Sequence, residues 1–155
     1  MAPTVNPSVW RSPTEADLAA SISAAEVEAY RTAAADEDAH GDPIQTLLTR
    51  AVNFVRGYIR TRENIAMGPS GTLPESLIAP AMDYIAFDVV KRVPRANTED
   101  RRHARDAALA IFRDVASGKF TIESWGASET DTPATAAELT NDPMRRVTAE
   151  RLNGL

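Results

Sequence analysis

The side chains that most often perform chemistry are sparse in this sequence, and their spacing matches no catalytic motif. His40 and His103 each lack a partner at a metal-ligand or catalytic-triad spacing. Cysteine is absent, which excludes disulfides and thiolate metal sites. The run Asp36–Asp38 lacks the oxygen-ligand spacing of a calcium loop, so a solvated loop is the better interpretation. Asp83 and Asp88 are most simply placed on the flank of a helix.

Glycine-rich segments give no sign of a phosphate site either. The stretch from Met67 to Thr72 contains Gly68 and Gly71, but no Lys-Ser/Thr pair follows it, so it predicts an ordinary loop. Nucleophile elbows, dinucleotide-binding loops and paired-carboxylate signatures are also missing. The sequence therefore predicts a protein that is not an enzyme and that carries no cofactor and no metal.

Basic side chains are the remaining candidates for a functional surface. The net charge of −5 does not support general nucleic-acid binding. Arginines on two predicted helices nevertheless are candidates for contact with a neighbouring subunit or with DNA phosphates, although a solvated face is the commonest explanation. These candidates are Arg56, Arg60, Arg101, Arg102 and Arg105.

Charge is segregated along the chain. Residues 1–49 carry a net charge of −6, residues 50–122 a net charge of +4 and residues 123–155 a net charge of −3. This pattern favours head-to-tail contact between copies, and the alternative is an ordinary mixed surface.

The elements that must position these side chains are predicted to be helices, organised around one at 42–64. Its apolar residues recur at steps of three and four, Asp42 suits the N-cap, and Pro43 suits the first helical position. Capping boxes at Thr14 and Ser23 predict helices at about 14–20 and 23–34. Two longer helices are predicted at 73–93, with a kink or restart at Pro80, and at 97–118.

The expected fold class is all-α, a small bundle of about four to five helices. Its predicted core consists of Ile44, Leu47, Leu48, Val52, Val55, Ile85, Val89, Ile111 and Phe112. A short alternating stretch at 119–122 predicts an extended segment or edge strand. No apolar run approaches the roughly 20 residues that cross a bilayer, and the N-terminus lacks the features of a signal peptide.

Both ends of the chain are predicted to lie outside this bundle. Residues 1–13 form an N-terminal arm, in which Trp10 belongs either to a frayed terminus or to a segment that docks on a partner. The bundle covers 14–122. Residues 123–143 are predicted to be a flexible acidic linker. Residues 144–155 regain apolar and basic side chains and form a C-terminal docking segment.

The order of these pieces resembles the Mu-type phage family of small helical neck proteins, which are related in style to the head–tail connector adaptors of tailed phages. The resemblance covers most of residues 14–155, and the chain departs from it in a longer N-terminal arm and in the region 23–41. It is carried by Thr14 to Leu18, Ala51 to Arg60, Leu73 to Leu77, Asp83 to Ala86, Ile111 to Ile122 and Asp142 to Leu155.

The resemblance implies a structural virion protein: a head–tail connector that forms a ring, usually dodecameric, under the portal and links capsid to tail. It implies contacts with the portal protein, with neighbouring copies and with a tail-side neck, stopper or terminator protein. DNA would only pass through the channel, and no membrane would be involved. Localisation would be the virion neck, after assembly in the host cytoplasm. The portal-binding arm would use Arg145, Arg146, Val147, Arg151 and Leu152.

Two other function classes remain open at this stage. One is a non-virion helical binding or regulatory module that acts through its C-terminal tail. The other is a DNA-packaging accessory protein that uses the basic middle of the chain. A connector should be found in purified particles, whereas a regulator should be absent from them.

Overall fold

The computed structural model describes residues 10–35, 41–92 and 98–126, which form a bundle of five helices with one short strand pair. The prediction of a small all-α bundle is confirmed. The elements are β1 (Trp10–Arg11), α1 (Glu15–Leu18), α2 (Ala24–Ala34), α3 (Pro43–Ile59), β2 (Leu73–Pro74), α4 (Glu75–Arg92) and α5 (Thr98–Ser117).

The first three helices begin at the predicted capping residues. The Thr14 amide and hydroxyl both donate to Asp17. The Ser23 side chain accepts from the Glu26 amide, and the Glu26 carboxylate accepts from the Ser23 amide at 2.7 Å. These bonds satisfy donors that have no partner within the helix, which is why the local sequence predicted the starts so well.

Helix α3 packs against all four other helices, but α4 also does so and makes the more extensive contacts, so α3 is not the sole centre of the bundle. Asp42 caps α3 by accepting from the amide of Ile44 at 3.1 Å, and Pro43 occupies the first turn. The apolar stripe is buried from Ile44 to Ile59. The helix ends at Ile59 and not at the predicted Asn64, because the polar run that follows has no apolar residue to bury.

Helix α4 begins two residues later than predicted. Leu73 and Pro74 were expected to be helical, but they form the strand that pairs antiparallel with β1, with Trp10 opposite Pro74. Of the kink or restart expected at Pro80, the restart does not occur, because α4 continues through this residue. Pro80 lies only in the second turn, so its missing N–H removes a single bond near the end of the ladder.

Helix α5 packs on α4 and α3 and completes the core. Phe112 and Val115 are fully buried, whereas Ile111 lies half-buried against the core and not inside it, which corrects one of the predicted core residues. The other predicted core residues are buried. Gly118 ends the helix with φ of 82°, a left-handed conformation that glycine adopts without strain.

The residues after α5 pack at the end of the bundle where α3 and α5 finish. Residues 119–122 form no strand, although Ile122 is buried. Helices α1 and α2 pack on α3 and α4. None of the helices described is both long and apolar enough to span a bilayer.

Candidate functional site

The two ends of the described chain meet in one cluster, which we call the terminal clasp (Trp10, Arg56, Gly68, Glu123 and Trp125). Trp10 is 3% exposed, and its indole Nε1 donates to the Glu123 carbonyl oxygen at 2.8 Å. The amide of Trp125 donates to the Ala66 carbonyl at 2.9 Å. Trp10 therefore docks on its own chain, and it belongs neither to a frayed terminus nor to a partner-binding arm.

The first residues of the predicted linker also lie in this clasp. The Ser76 hydroxyl donates to the Glu123 carboxylate at 2.8 Å, and the Ala66 amide donates to the Ser124 hydroxyl at 2.8 Å. Trp125 is half-buried against the core. The rest of the predicted linker and the whole predicted docking segment lie outside the described residues.

Arg56 occupies the centre of the clasp. Its guanidinium donates to the carbonyls of Gly68 at 3.0 Å, Pro69 at 2.9 Å and Thr72 at 2.8 Å. It also lies 5.8 Å from the centre of the Trp10 ring. Burial lowers the pKa of Arg56, and the charge of Arg60 adds to that effect, but a guanidinium stays protonated.

The prediction that Arg56 is a surface residue for a subunit or DNA contact is therefore wrong. The side chain is only 8% exposed and closes the loop at 68–72. A sequence signal was present, because Arg56 follows Val52 by four residues and precedes Ile59 by three, which places it on the edge of the apolar stripe.

The other four candidate arginines do not share one environment. Arg101 donates to the Glu26 carboxylate at 3.0 Å within the same chain, and its side chain is 20% exposed, so it does not fit a free intersubunit cation. Arg102 is exposed and pairs with Glu99 at 2.8 Å, and exposed His103 lies 3.7 Å from the same carboxylate. Arg60 is exposed.

Arg105 lies in a row of partly buried side chains, with exposed Lys91 at its end, that runs across α3, α4 and α5. We call this row the aromatic–basic strip; it consists of Tyr58, Phe54, Tyr84, Arg105, Phe87 and Lys91. Phe54 stacks on Tyr84 with ring centres 4.6 Å apart, and it meets Tyr58 edge-on at 5.3 Å. The Arg105 guanidinium lies 5.9 Å from the Tyr84 ring and 5.1 Å from the Phe87 ring.

Several carboxylates in the acidic first third of the chain form ion pairs within the same chain. Arg11 pairs with Asp17 at 2.8 Å and with Glu75 at 2.6 Å. Arg31 pairs with Glu15 at 2.6 Å and with Asp42 at 3.1 Å. Some of the opposite charges that were expected to favour contact between copies therefore pair within one copy.

Three of the carboxyl groups in this region have a lowered pKa. The hydrogen bond from Arg11 lowers that of Asp17 well below its usual range, helped by Thr14. Arg31 lowers that of Asp42, helped by the Ile44 amide. For Glu26, burial acts to raise the pKa, but hydrogen bonds from Ser23 and the charge of Arg101 outweigh it.

Cavities in the described residues are open grooves. One of about 520 Å³ lies along the outer face of α3 and is lined by Asp42, Gln45, Thr49, Arg50 and neighbouring residues. Among the described residues, no cluster of three or more His, Cys, Asp or Glu side chains could hold a metal ion. His40 and the run Asp36–Asp38 fall outside them.

Comparison with known proteins identifies the family. None of the curated proteins and none of the solved structures matches the chain significantly. The model of one family, bacteriophage Mu Gp36, matches residues 13–141, which include all of the helices described above. Because this match spans well over half of the chain, the protein belongs to the bacteriophage Mu Gp36 family of phage proteins.

Proposed function

We propose that the protein is a head–tail connector of the virion, forming a ring under the portal and linking the capsid to the tail. The first support is the family match, which makes the chain a phage protein. The second is the resemblance in the order of its helices and in its arginine-bearing end. The proposed role is structural, without catalysis, a cofactor or a membrane, and DNA passes through the ring without specific binding.

The C-terminal segment 144–155 is the proposed portal anchor. Val147 and Leu152 supply apolar anchors, and Arg145, Arg146 and Arg151 supply guanidinium groups that bind carboxylates with two parallel hydrogen bonds. Short segments of this kind gain affinity by ordering on a partner surface. The preceding acidic stretch, residues 123–143, would reach up to about 70 Å if fully extended.

The terminal clasp supports a helical body and a C-terminal anchor with separate roles. It fixes the position of the last described residues against the bundle, and it holds Trp10 beside them. A rigid helical body with its outgoing segment anchored at one corner suits a subunit that packs against neighbours and reaches a separate protein. Exposed Arg60 and Arg102 are proposed to contact the neighbouring copy, and a tail-side neck, stopper or terminator protein is proposed to bind the finished ring.

The test is recruitment to purified heads that contain the portal. Deleting residues 144–155 should leave the helical circular dichroism unchanged and abolish binding to heads. Replacing Arg145, Arg146 and Arg151 by Glu should do the same, whereas Arg113→Glu, an exposed change on α5, should bind normally. If the truncated protein binds heads as well as the full chain, the arm is not the anchor.

A particle inventory by mass spectrometry tests the role as a whole. The protein should be present in purified virions together with the portal. Its absence from particles would favour a non-virion regulatory module. A virion reconstruction in which the copies make no lateral contact would exclude the ring.

A further inference from the structure

The aromatic–basic strip has the composition of a binding surface. Tyr, Phe and Arg side chains dominate protein interfaces because they bury a large area in few conformations. Phe54, Tyr58, Tyr84 and Phe87 are all partly buried, and they lie in a continuous row of ring and cation contacts. The inner edges of Phe54, Tyr58 and Tyr84 pack on the core, and the exposed edges of the four rings form an apolar row that a partner can cover.

We propose that this strip is the docking surface for residues 127–142 of the same chain. That segment carries four acidic side chains, Glu129, Asp131, Glu138 and Asp142, and no basic one. Its large apolar residue is Leu139. An acidic segment with an apolar anchor is the chemical complement of aromatic rings that alternate with cations. This inference is independent of the connector role, because it concerns the isolated chain.

The charges at the strip favour an acidic occupant. The Arg105 guanidinium lies near the Tyr84 and Phe87 rings and makes charge–ring contacts with both, and a guanidinium can also donate two hydrogen bonds to a carboxylate. Burial and the negative charge of Asp88 raise the pKa of the Tyr84 phenol, and the positive charges of Arg105 and Arg50 oppose that rise, so the strip carries one carboxylate among its cations. Lys91 lies 4.8 Å from the Phe87 ring and pairs with Asp88 at 3.5 Å.

The position of the chain at residue 126 favours an occupant from the same copy. The Trp125 amide binds Ala66, and Arg62 binds the Val115 carbonyl at 3.3 Å, so residue 126 lies at the end of the bundle where α3 and α5 finish. The strip begins at that end with Tyr58, in the last turn of α3, and continues to Lys91, in the last turn of α4.

Residues 127–142 are also long enough to reach the strip, and their attachment to the body favours binding within the same chain. Residues 127–142 span up to about 53 Å when extended, whereas the stretch of α4 from Tyr84 to Lys91 is only about 10 Å long. A segment tied to the body beside its site binds intramolecularly, at a high effective concentration that a free partner must exceed.

Paramagnetic broadening in the full-length chain tests the proposal. Because the sequence has no cysteine, Thr140→Cys provides a single site for a nitroxide label. The label should broaden the backbone amide signals of residues 84–91 and of Arg105. Arg105→Glu should remove the broadening, and Arg113→Glu, its matched control on α5, should preserve it.

Two further measurements make the result decisive. Replacing Glu129 and Asp131 by Lys leaves the folded body untouched and should release the segment, as should high salt, which screens the charges. If the strip signals stay sharp in the labelled chain that carries no substitution besides Thr140→Cys, the proposal is wrong. It is also wrong if broadening appears only when labelled and isotope-enriched chains are mixed, since the segment would then come from another copy.

Discussion

The indole nitrogen of Trp10 and the carbonyl oxygen of Glu123 are joined by a 2.8 Å hydrogen bond although 113 positions separate them in sequence. The donor comes from the short strand before the first helix, and the acceptor follows the last helix. A buried Trp N–H needs such a partner because an unpaired buried donor is costly. The contact therefore closes the bundle into a single unit whose first and last described segments depend on each other.

Substitution of Gly68 should damage this closure. A Cβ at Gly68 would lie 2.6 Å from a carbon of the Trp10 ring, so Gly68→Ala should lower the free energy of unfolding by about 1–3 kcal/mol. Gly57 is the matched control, because nothing lies within 4 Å of its added Cβ and it sits inside α3. Gly57→Ala should instead stabilise the protein by about 0.4–1 kcal/mol. Urea unfolding measures both, and equal effects would disprove the close packing of Trp10.

Removal of the Arg56 guanidinium should destabilise the loop at 68–72. In Arg56→Met three carbonyls lose their donor, at a cost of about 1–3 kcal/mol for each acceptor that no water reaches. Arg60→Met, four residues along on the exposed surface, should stay within about 0.5 kcal/mol of wild type. Thermal melts of the two variants compare these effects. Similar melting temperatures would show that Arg56 contributes little to stability.

Neighbouring residues on α5 should respond differently to truncation. Phe112 is fully buried, so Phe112→Ala should cost about 3–5 kcal/mol through lost burial and the cavity left behind. Ile111 is half-buried at the rim of the same cluster, so Ile111→Ala should cost clearly less. Chemical denaturation of both variants tests the placement. An Ile111 effect as large as that of Phe112 would show that both face the core.

Acid should weaken the fold through Asp17, Glu26 and Asp42. Each has a pKa that is lower in the folded state, so each contributes stability above its unfolded pKa of about 4. That stability is lost as the pH falls through the lower folded values. Unfolding free energy measured from neutral pH downward should therefore decline below about pH 4.

A pair of variants tests the source of this decline. Asp17→Asn removes the carboxyl with a strongly lowered pKa and should flatten the acid limb of the profile. Arg113→Gln removes an exposed cation that is not among the groups that lower these pKa values, and it should keep the wild-type slope. A profile for Asp17→Asn that parallels wild type would show that other groups control the acid sensitivity.

Local signals explain what the sequence predicted correctly. The capping boxes at Thr14 and Ser23 and the Asp42-Pro43 start each depend on residues within one turn, and the apolar period of α3 directly gives its buried face. The predicted end of α3 near Asn64 was wrong, because helix ends depend on burial and the polar run 60–64 is not buried.

Long-range contacts explain what the sequence did not show. Nothing near Trp10 indicates that its partner follows α5, and two paired residues in β1 and β2 are too few to give a periodic signal. The burial of Arg56 depends on the loop carbonyls at 68–72, which fold back from the next segment. The sequence alone indicates part of the strip, because Phe54 and Tyr58 are one helical turn apart on the same face of α3. Its contacts with Arg105 could not be predicted, because they depend on how α4 and α5 pack.

The terminal clasp also determines what fluorescence can report. The two tryptophans of the chain, Trp10 and Trp125, both lie in it, one buried and one half-buried. Intrinsic tryptophan emission therefore observes one corner of the molecule, whereas circular dichroism observes the helices. Opening of the clasp would shift the emission spectrum while the helical signal stayed constant, so the two optical probes together separate loosening of the corner from unfolding of the bundle.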